Sequence, residues 1–256
     1  MYVYVKRPLM KTLNISAVSY LNTYPFVYGI QQSGYLQDYH LYLEVPSMCA
    51  ERLKSGEADI ALVPAGALPD FRNYHIISDY CLGAVKEVIT VLLLSNKPLE
   101  KIKKIYLDFD SRTSARLVQV LSQSFWKTQP VFERLQRGQA EDPRMKDAIV
   151  AIGDKTFGMR NRYAYSYDLA GEWIRYTGLP FVFAVWVSTR PLPETLLGQF
   201  NKALHHGVMN IDQVLDFYST RLPKNADCRK YLTENISYGF DKPKKEGLNL
   251  FLSYLG

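Results

Sequence analysis

Two long apolar segments divide this sequence of 256 residues into three parts. Residues 87–95 and 181–188 are rich in aliphatic, β-branched and aromatic side chains, which predicts a buried strand at each place. Short β-type and α-type segments alternate before the first strand and again between the two, whereas the chain after Pro193 has helical spacing. This alternation favours an α/β fold in which mixed or parallel sheets are flanked by helices.

Two arrangements of the chain fit this pattern. In the first, all strands join one doubly wound domain. In the second, the chain leaves a first lobe along one apolar strand, builds a second lobe and returns along the other strand. This second arrangement predicts a discontinuous first lobe of residues 1–92 and 188–256, and a second lobe of residues 93–187. The pattern alone leaves both arrangements open.

The segment of residues 16–30 changes from strand to helix through a polar turn. Its helical part places Phe26 and Ile30 on one face, Asn22 or Thr23 is predicted to cap the helix, and the proline that follows suits a first turn. Unpaired backbone N–H groups at such a start attract anions. The segment therefore predicts an anion site, although an ordinary β–α turn with a good cap explains the same residues.

Composition excludes several classes of protein. No apolar run approaches the roughly 18–20 residues of a membrane span. Lys6 and Arg7 are not followed by an apolar segment, so we expect no secretory signal and a cytosolic location. The three cysteines are widely spaced and form no CxxC pair, which predicts free thiols and no metal site.

The charge balance points to a small anionic partner. The formal net charge is +6, but no motif that interleaves basic and aromatic residues accompanies it. We therefore predict no nucleic-acid partner and no membrane partner. A mildly positive protein attracts an anionic small molecule. The sequence makes no prediction of oligomeric state.

Five segments together resemble the chorismate dehydratase family of the futalosine route to menaquinone. They cover most of residues 13–188, and the likeness is weaker beyond. Thr90 and Leu94 replace the usual serine and phenylalanine, and Asp110 replaces the first serine of the fourth segment. Gly153 and Asp154 belong to a further short match. The five segments are Ser19–Thr23, Gly56–Pro64, Thr90–Ser95, Asp110–Ser114 and Tyr167–Trp186.

The resemblance implies both a fold and an activity. The fold is that of type 2 periplasmic binding proteins, in which two lobes enclose a cleft. The activity is a lyase reaction without a cofactor that converts chorismate to 3-[(1-carboxyvinyl)oxy]benzoate and water. A solute-binding protein for a small anion is the alternative on the same fold. A sister enzyme that makes dihydroxynaphthoate is disfavoured, because it opens with Pro-Cys-Pro-Asn-Asp where this chain has Ser19–Thr23.

The implied substrate carries two carboxylates, so the resemblance suggests two anion pockets, one in each lobe. Short hydroxyls and backbone amides at helix N-termini hold carboxylates without a buried cation. A plain N-cap followed by a solvated arginine is the other interpretation of residues 111–114. The predicted substrate-binding residues are Ser19, Tyr20, Thr23, Ser111, Arg112, Thr113, Ser114 and Gly153.

The predicted catalytic residues are Asn22, Thr90 and Asp154. The Asn22 amide and the Thr90 hydroxyl could bond a departing hydroxyl or a carboxylate, although strand propensity also explains a threonine at 90. None of the four histidines lies in a motif, so Asp154 is the best candidate for the base, unless it merely caps the next turn. A different hypothesis is that the enolpyruvyl carboxylate of the substrate takes the proton.

Overall fold

The computed structural model describes residues 12–109, 111–135 and 147–256. Lys6 and Arg7, which belong to the N-terminal segment where we expect no secretory signal, lie outside these residues. Asp110 of the fourth motif also lies outside them. Within them, the chain forms two sheets flanked by helices, and each sheet belongs to a separate lobe.

The first sheet has six strands in the order β11-β4-β10-β3-β1-β2. Strand β1 pairs in parallel with β2 and β3, whereas β10 pairs antiparallel with β3 and β4. The sheet is therefore mixed, because β10 returns from the second lobe and inserts between β3 and β4. Its strands are β1 (Leu13–Val18), β2 (Tyr39–Glu44), β3 (Ile60–Pro64), β4 (His75–Ala84), β10 (Phe181–Ser188) and β11 (Ser237–Gly239).

The second sheet has five strands in the order β7-β6-β8-β5-β9. Strand β6 pairs in parallel with β7 and β8, and β5 pairs antiparallel with β8 and β9. All five residues of β5 and all five of β8 are buried, so this pair forms the centre of the lobe. The strands are β5 (Val91–Ser95), β6 (Lys104–Leu107), β7 (Val131–Arg134), β8 (Ala148–Ile152) and β9 (Tyr165–Asp168).

Helices cover both sheets, and most follow a strand directly. The second lobe contributes α3, whose α-helical part ends at Val120 and continues as a π turn over Leu121–Phe125. None of the described helices combines the length and apolar character that a membrane crossing needs. The helices are α1 (Tyr24–Gln32), α2 (Pro46–Lys54), α3 (Thr113–Val120), α4 (Leu169–Thr177), α5 (Glu194–Met209), α6 (Ile211–Phe217), α7 (Cys228–Lys230) and α8 (Lys242–Ser253).

The chain changes sheets before each long apolar strand, not along it. All of β5 lies in the second sheet and all of β10 in the first. The changes therefore fall between β4 and β5 and between α4 and β10, a few residues before the boundaries predicted at 92/93 and 187/188. The backbone of Ile89 has a φ of 61°, in the left-handed region, so no strand continues through this residue and β5 begins after it.

Asp168 holds this first crossing in place. Its buried carboxylate accepts the N–H groups of Val88 and Ile89 in the crossing at 3.2 and 2.7 Å. It also accepts those of Ala170 and Gly171, so it is the N-cap of α4. Burial raises the pKa of Asp168, and the hydrogen bonds from the backbone act against that rise. One side chain thus fixes both the crossing and the start of a helix.

Candidate active site

A cleft of about 550 Å³, counting its open mouth, lies between the two lobes. It receives residues from the first sheet, the first crossing and the second lobe, and eight of the eleven predicted site residues line it. Arg112 is the only charged residue among the described lining, which contains no histidine and no carboxylate. The apolar part of the wall consists of Val18, Pro46, Pro64, Leu82, Val88, Val91, Ile152, Phe183 and Ala184.

Three predicted site residues lie outside this lining. Ser19 is exposed, and its N–H donates to the backbone oxygen of Glu44 at 2.9 Å. Thr23 is fully buried, and its hydroxyl donates to Oδ1 of Asn22 at 3.2 Å. Asp154 is half-buried behind the cleft wall, one residue beyond Gly153, which does line the cleft.

A 3-10 turn over Leu21–Thr23 leads into α1, and the first N–H of this turn is occupied by the carboxylate of Asp154. The backbone N–H of Leu21 donates to Oδ1 and Oδ2 of Asp154 at 3.2 and 3.1 Å, across the gap between the lobes. Thr23 lies at the predicted N-cap position of α1, but its side chain makes no capping hydrogen bond. Asp154 was also considered as a cap of the turn that follows it, but the carboxylate bonds Leu21 instead.

Burial sets the electrostatics of Asp154. Removal from water raises its pKa above the ordinary range, and the hydrogen bond from Leu21 acts against that rise.

The adjacent Gly153 has a φ of 74°, and a Cβ atom there would lie 3.1 Å from the ring of Tyr20. Tyr20 therefore packs directly on the backbone of the opposite lobe, and a side chain at 153 would push the lobes apart.

The N-terminus of α3 in the second lobe is capped by its own chain. Ser111, one residue before the N-cap Arg112, accepts the N–H of Ser114 on its Oγ at 3.1 Å, so its hydroxyl satisfies an amide of the first turn. The Thr113 hydroxyl donates to the backbone oxygen of Phe183 at 3.0 Å and accepts the N–H of Gly66 at 3.1 Å. Both partners belong to the first lobe, so Thr113 joins the lobes at the edge of the cleft.

Arg112 reinforces this junction. Its guanidinium donates to Asp70 at 2.9 Å and to Glu51 at 2.6 Å, and both acids belong to the first lobe. The arginine is therefore paired across the lobes rather than solvated alone. Gly66 lies beside it, where a Cβ atom would meet the Cα of Thr113 at 2.8 Å.

Thr90 and Asn22 each meet a buried tyrosine that sequence reasoning missed. Thr90 is 1% exposed, and its Oγ1 lies 2.7 Å from the phenolic oxygen of Tyr231. The backbone oxygen of Asn22 accepts the hydroxyl of Tyr238 at 3.1 Å. Burial raises the pKa of Tyr231. Neither tyrosine lies in a motif, and an aromatic residue in an amphipathic segment indicates only core.

The arrangement suits a ring-shaped ligand with a few polar groups. Apolar walls with a small number of convergent hydroxyl and amide groups are typical of small-molecule sites. Over residues 12–109, 111–135 and 147–256, no three His, Cys, Asp or Glu side chains converge as a metal ligand set. The described lining offers hydrogen-bond donors and positioning, and it offers no residue that could act as a general base near neutral pH.

Comparison with known families decides the relationship of this chain. Residues 13–256 match the family described as menaquinone biosynthesis, VitK2_biosynth. The chain belongs to the menaquinone biosynthesis family. Among curated members, the chorismate dehydratase of Thermus thermophilus is 24% identical over 261 residues, covering 91% of this chain and 96% of the relative. The chorismate dehydratase of Campylobacter jejuni is 28% identical over 236 residues, covering 91% and 89%.

Solved structures show the fold of this family member. A protein of Archaeoglobus fulgidus has a TM-score of 0.73 at 16% identity, covering 94% of this chain and 96% of its own. A Candida albicans protein with the generic periplasmic binding protein fold has a TM-score of 0.58 at 15% identity, covering 95% and 91%. The aliphatic sulphonate binding protein of Escherichia coli has a TM-score of 0.59 at 14% identity, covering 95% and 92%. The predicted periplasmic-binding-protein fold is confirmed.

Proposed function

We propose that this member of the menaquinone biosynthesis family is a chorismate dehydratase. One observation carries the proposal: the fold brings Asn22, Thr90 and the start of α3 onto one apolar cleft between the lobes. Relatives that align with nearly the whole chain are chorismate dehydratases. The polar groups on this cleft are those that a hydroxylated cyclic acid would need.

The cleft suggests how chorismate would be held. Its ring would pack on the apolar wall, and its ring carboxylate would face Ser111 and Ser114 at the start of α3. The N–H of Leu21 is already taken by Asp154, so that helix start is not a second free anion pocket. The enolpyruvyl carboxylate would therefore lie near the side chains of Asn22 and Thr90.

The proposed reaction is an elimination in which the substrate supplies the base. The enolpyruvyl carboxylate takes the proton from the ring carbon that bears the ether. The electrons of that C–H bond form the new ring double bond, and the adjacent C–O bond breaks. The leaving hydroxyl takes up the proton that the carboxylate removed and departs as water, so the carboxylate is restored and the products are 3-[(1-carboxyvinyl)oxy]benzoate and water. The protein contributes positioning and exclusion of water.

The ultraviolet spectrum of chorismate mixed with the protein tests this proposal. Conversion to a benzoate changes the absorbance, whereas binding alone does not. We expect turnover by the wild type, and a loss of about 100-fold or more in Asn22→Ala and Thr90→Ala, because each removes a positioned polar group. Thr90→Ser keeps the hydroxyl and should keep most of the activity. Thr233→Ala, whose hydroxyl bonds Arg229 on the surface, is the control.

The competing function is a solute-binding protein for a small anion. The likeness of the fold to the Escherichia coli sulphonate binding protein favours this candidate. Calorimetry with chorismate would separate the two: heat of binding with a constant spectrum would overturn the dehydratase proposal and support the binding protein.

A further inference from the structure

We propose that Tyr231 is a positioning residue of this site, and that its phenol fixes the orientation of the Thr90 hydroxyl on the cleft. The inference rests on the proposed dehydratase function. It assigns a role to a residue that follows the second crossing, in a part of the chain where the motifs say nothing about function.

The phenol of Tyr231 is placed by packing rather than by solvent. Tyr231 is 1% exposed, and its ring meets that of Phe157 in the second lobe edge to face, with centroids 5.2 Å apart and an interplanar angle of 89°. Contacts from both lobes therefore hold the ring. A buried phenol needs a hydrogen-bond partner, and here the partner is the Thr90 hydroxyl of the candidate site.

The hydrogen bond to Tyr231 decides how Thr90 presents its hydroxyl. A threonine hydroxyl has one proton and rotates to suit its neighbours. The other contact of Thr90 Oγ1, the backbone oxygen of Val88, lies at 3.5 Å, whereas the phenol lies at 2.7 Å. Because burial raises the pKa of Tyr231, the phenol stays protonated and can donate to Thr90. The proton of Thr90 is then free to point at a ligand in the cleft.

The first experiment compares Tyr231→Phe with Tyr218→Phe. Tyr218 is also buried in the first lobe, and its hydroxyl donates to Gln31 at 3.1 Å, away from the cleft. Each variant removes one buried hydroxyl and keeps its ring, so we expect similar decreases in melting temperature. We expect kcat for chorismate to fall about 10- to 100-fold in Tyr231→Phe with KM changed less than about three-fold, and Tyr218→Phe to keep wild-type kinetics. If Tyr231→Phe does not fold, Tyr231→Met, which also removes the phenol and fills the buried space with a flexible apolar side chain, carries the same comparison.

A double-mutant cycle separates positioning from general support. In a Thr90→Ala background the hydroxyl that Tyr231 orients is absent, so Tyr231→Phe should cost less than about three-fold in kcat. An equal loss in both backgrounds, or wild-type kcat in Tyr231→Phe alone, would overturn the assignment while leaving the dehydratase proposal intact. A wild type that never converts chorismate would instead overturn the dehydratase proposal, and the role of Tyr231 in it.

Discussion

The two helix starts on either side of the cleft contain similar short polar residues but satisfy their backbone amides differently. At the first, Leu21 donates to a carboxylate of the opposite lobe, Asp154. At the second, Ser111 caps its own helix and remains on the cleft with Ser114. An N-terminus is therefore an anion site only where the fold has not already supplied the anion. Both starts join the lobes, but only the second keeps its short hydroxyls on the cleft.

Breaking the junction beside the second helix start should have the largest effect. In Gly66→Ala the new Cβ would meet the Cα of Thr113 at 2.8 Å, so the lobes cannot approach as closely. We expect kcat/KM for chorismate to fall about 100-fold, because a displacement of about 1 Å at a site costs that much. Steady-state kinetics and small-angle scattering of the same sample would measure both consequences.

Gly198→Ala is the matched control for this variant. Gly198 lies within α5, and no heavy atom lies within 4 Å of a Cβ built there. We expect unchanged kinetics and a gain in helix stability of up to about 1 kcal/mol. Wild-type kcat/KM in Gly66→Ala would show that close approach of the lobes at this point is unnecessary.

Arg112→Gln should weaken the same junction less. The guanidinium and its partners Asp70 and Glu51 are partly exposed, and such ion pairs contribute at most about 1 kcal/mol. We expect KM to rise by no more than about five-fold, which corresponds to that free energy. Arg175→Gln, which breaks an ion pair with Glu172 in α4, should leave KM unchanged. A loss above about 100-fold in Arg112→Gln would mean that the arginine binds substrate directly.

Asp154→Asn tests the first helix start and should change turnover little. The carboxylate bonds Leu21 and does not line the cleft, so the amide can keep one acceptor in place without touching the chemistry. We expect kcat within about three-fold of wild type. A collapse of kcat with chorismate binding intact would make Asp154 the base and contradict substrate-assisted elimination.

The smallest effect concerns the pH dependence of stability. Burial raises the pKa of Asp154 above 3.8, so between 3.8 and the raised pKa the native state holds more protons than the unfolded state. The contribution of Asp154 to the free energy of unfolding therefore falls as pH rises through that window, and is constant above it. The difference in unfolding free energy between wild type and Asp154→Asn should show this fall in urea titrations. A rise with pH would contradict the assignment.

Local pattern and the resemblance together led to the residues on the cleft. The helix starts near Asn22 and Ser111 follow from short polar residues ahead of helical spacing, whereas Thr90 was placed by the resemblance. Both apolar strands and the mixed two-lobed architecture also followed from pattern and resemblance together. These features depend on neighbours within a few residues, which is the range over which periodicity and capping act.

The missed features depend on contacts distant in sequence. Leu21 and Asp154 are 133 residues apart, and Thr90 and Tyr231 are 141 apart. Patterns among neighbouring residues do not predict which distant carboxylate will accept a hydrogen bond from a helix start. They also do not predict which buried tyrosine will hydrogen-bond a threonine. Ile89 shows the same dependence on distant residues, because its left-handed backbone is accompanied by a hydrogen bond from its N–H to Asp168.

Insertion of β10 between β3 and β4 has a consequence for synthesis of the chain. As the polypeptide emerges from the ribosome, the second lobe is complete by about the end of α4, whereas the first still lacks its central strand. Until β10 arrives, β3 and β4 present unpaired edges that can recruit other nascent strands. Synthesis of the first lobe thus begins before that of the second but is completed after it. We expect the incomplete first lobe to need chaperones more than the second lobe does.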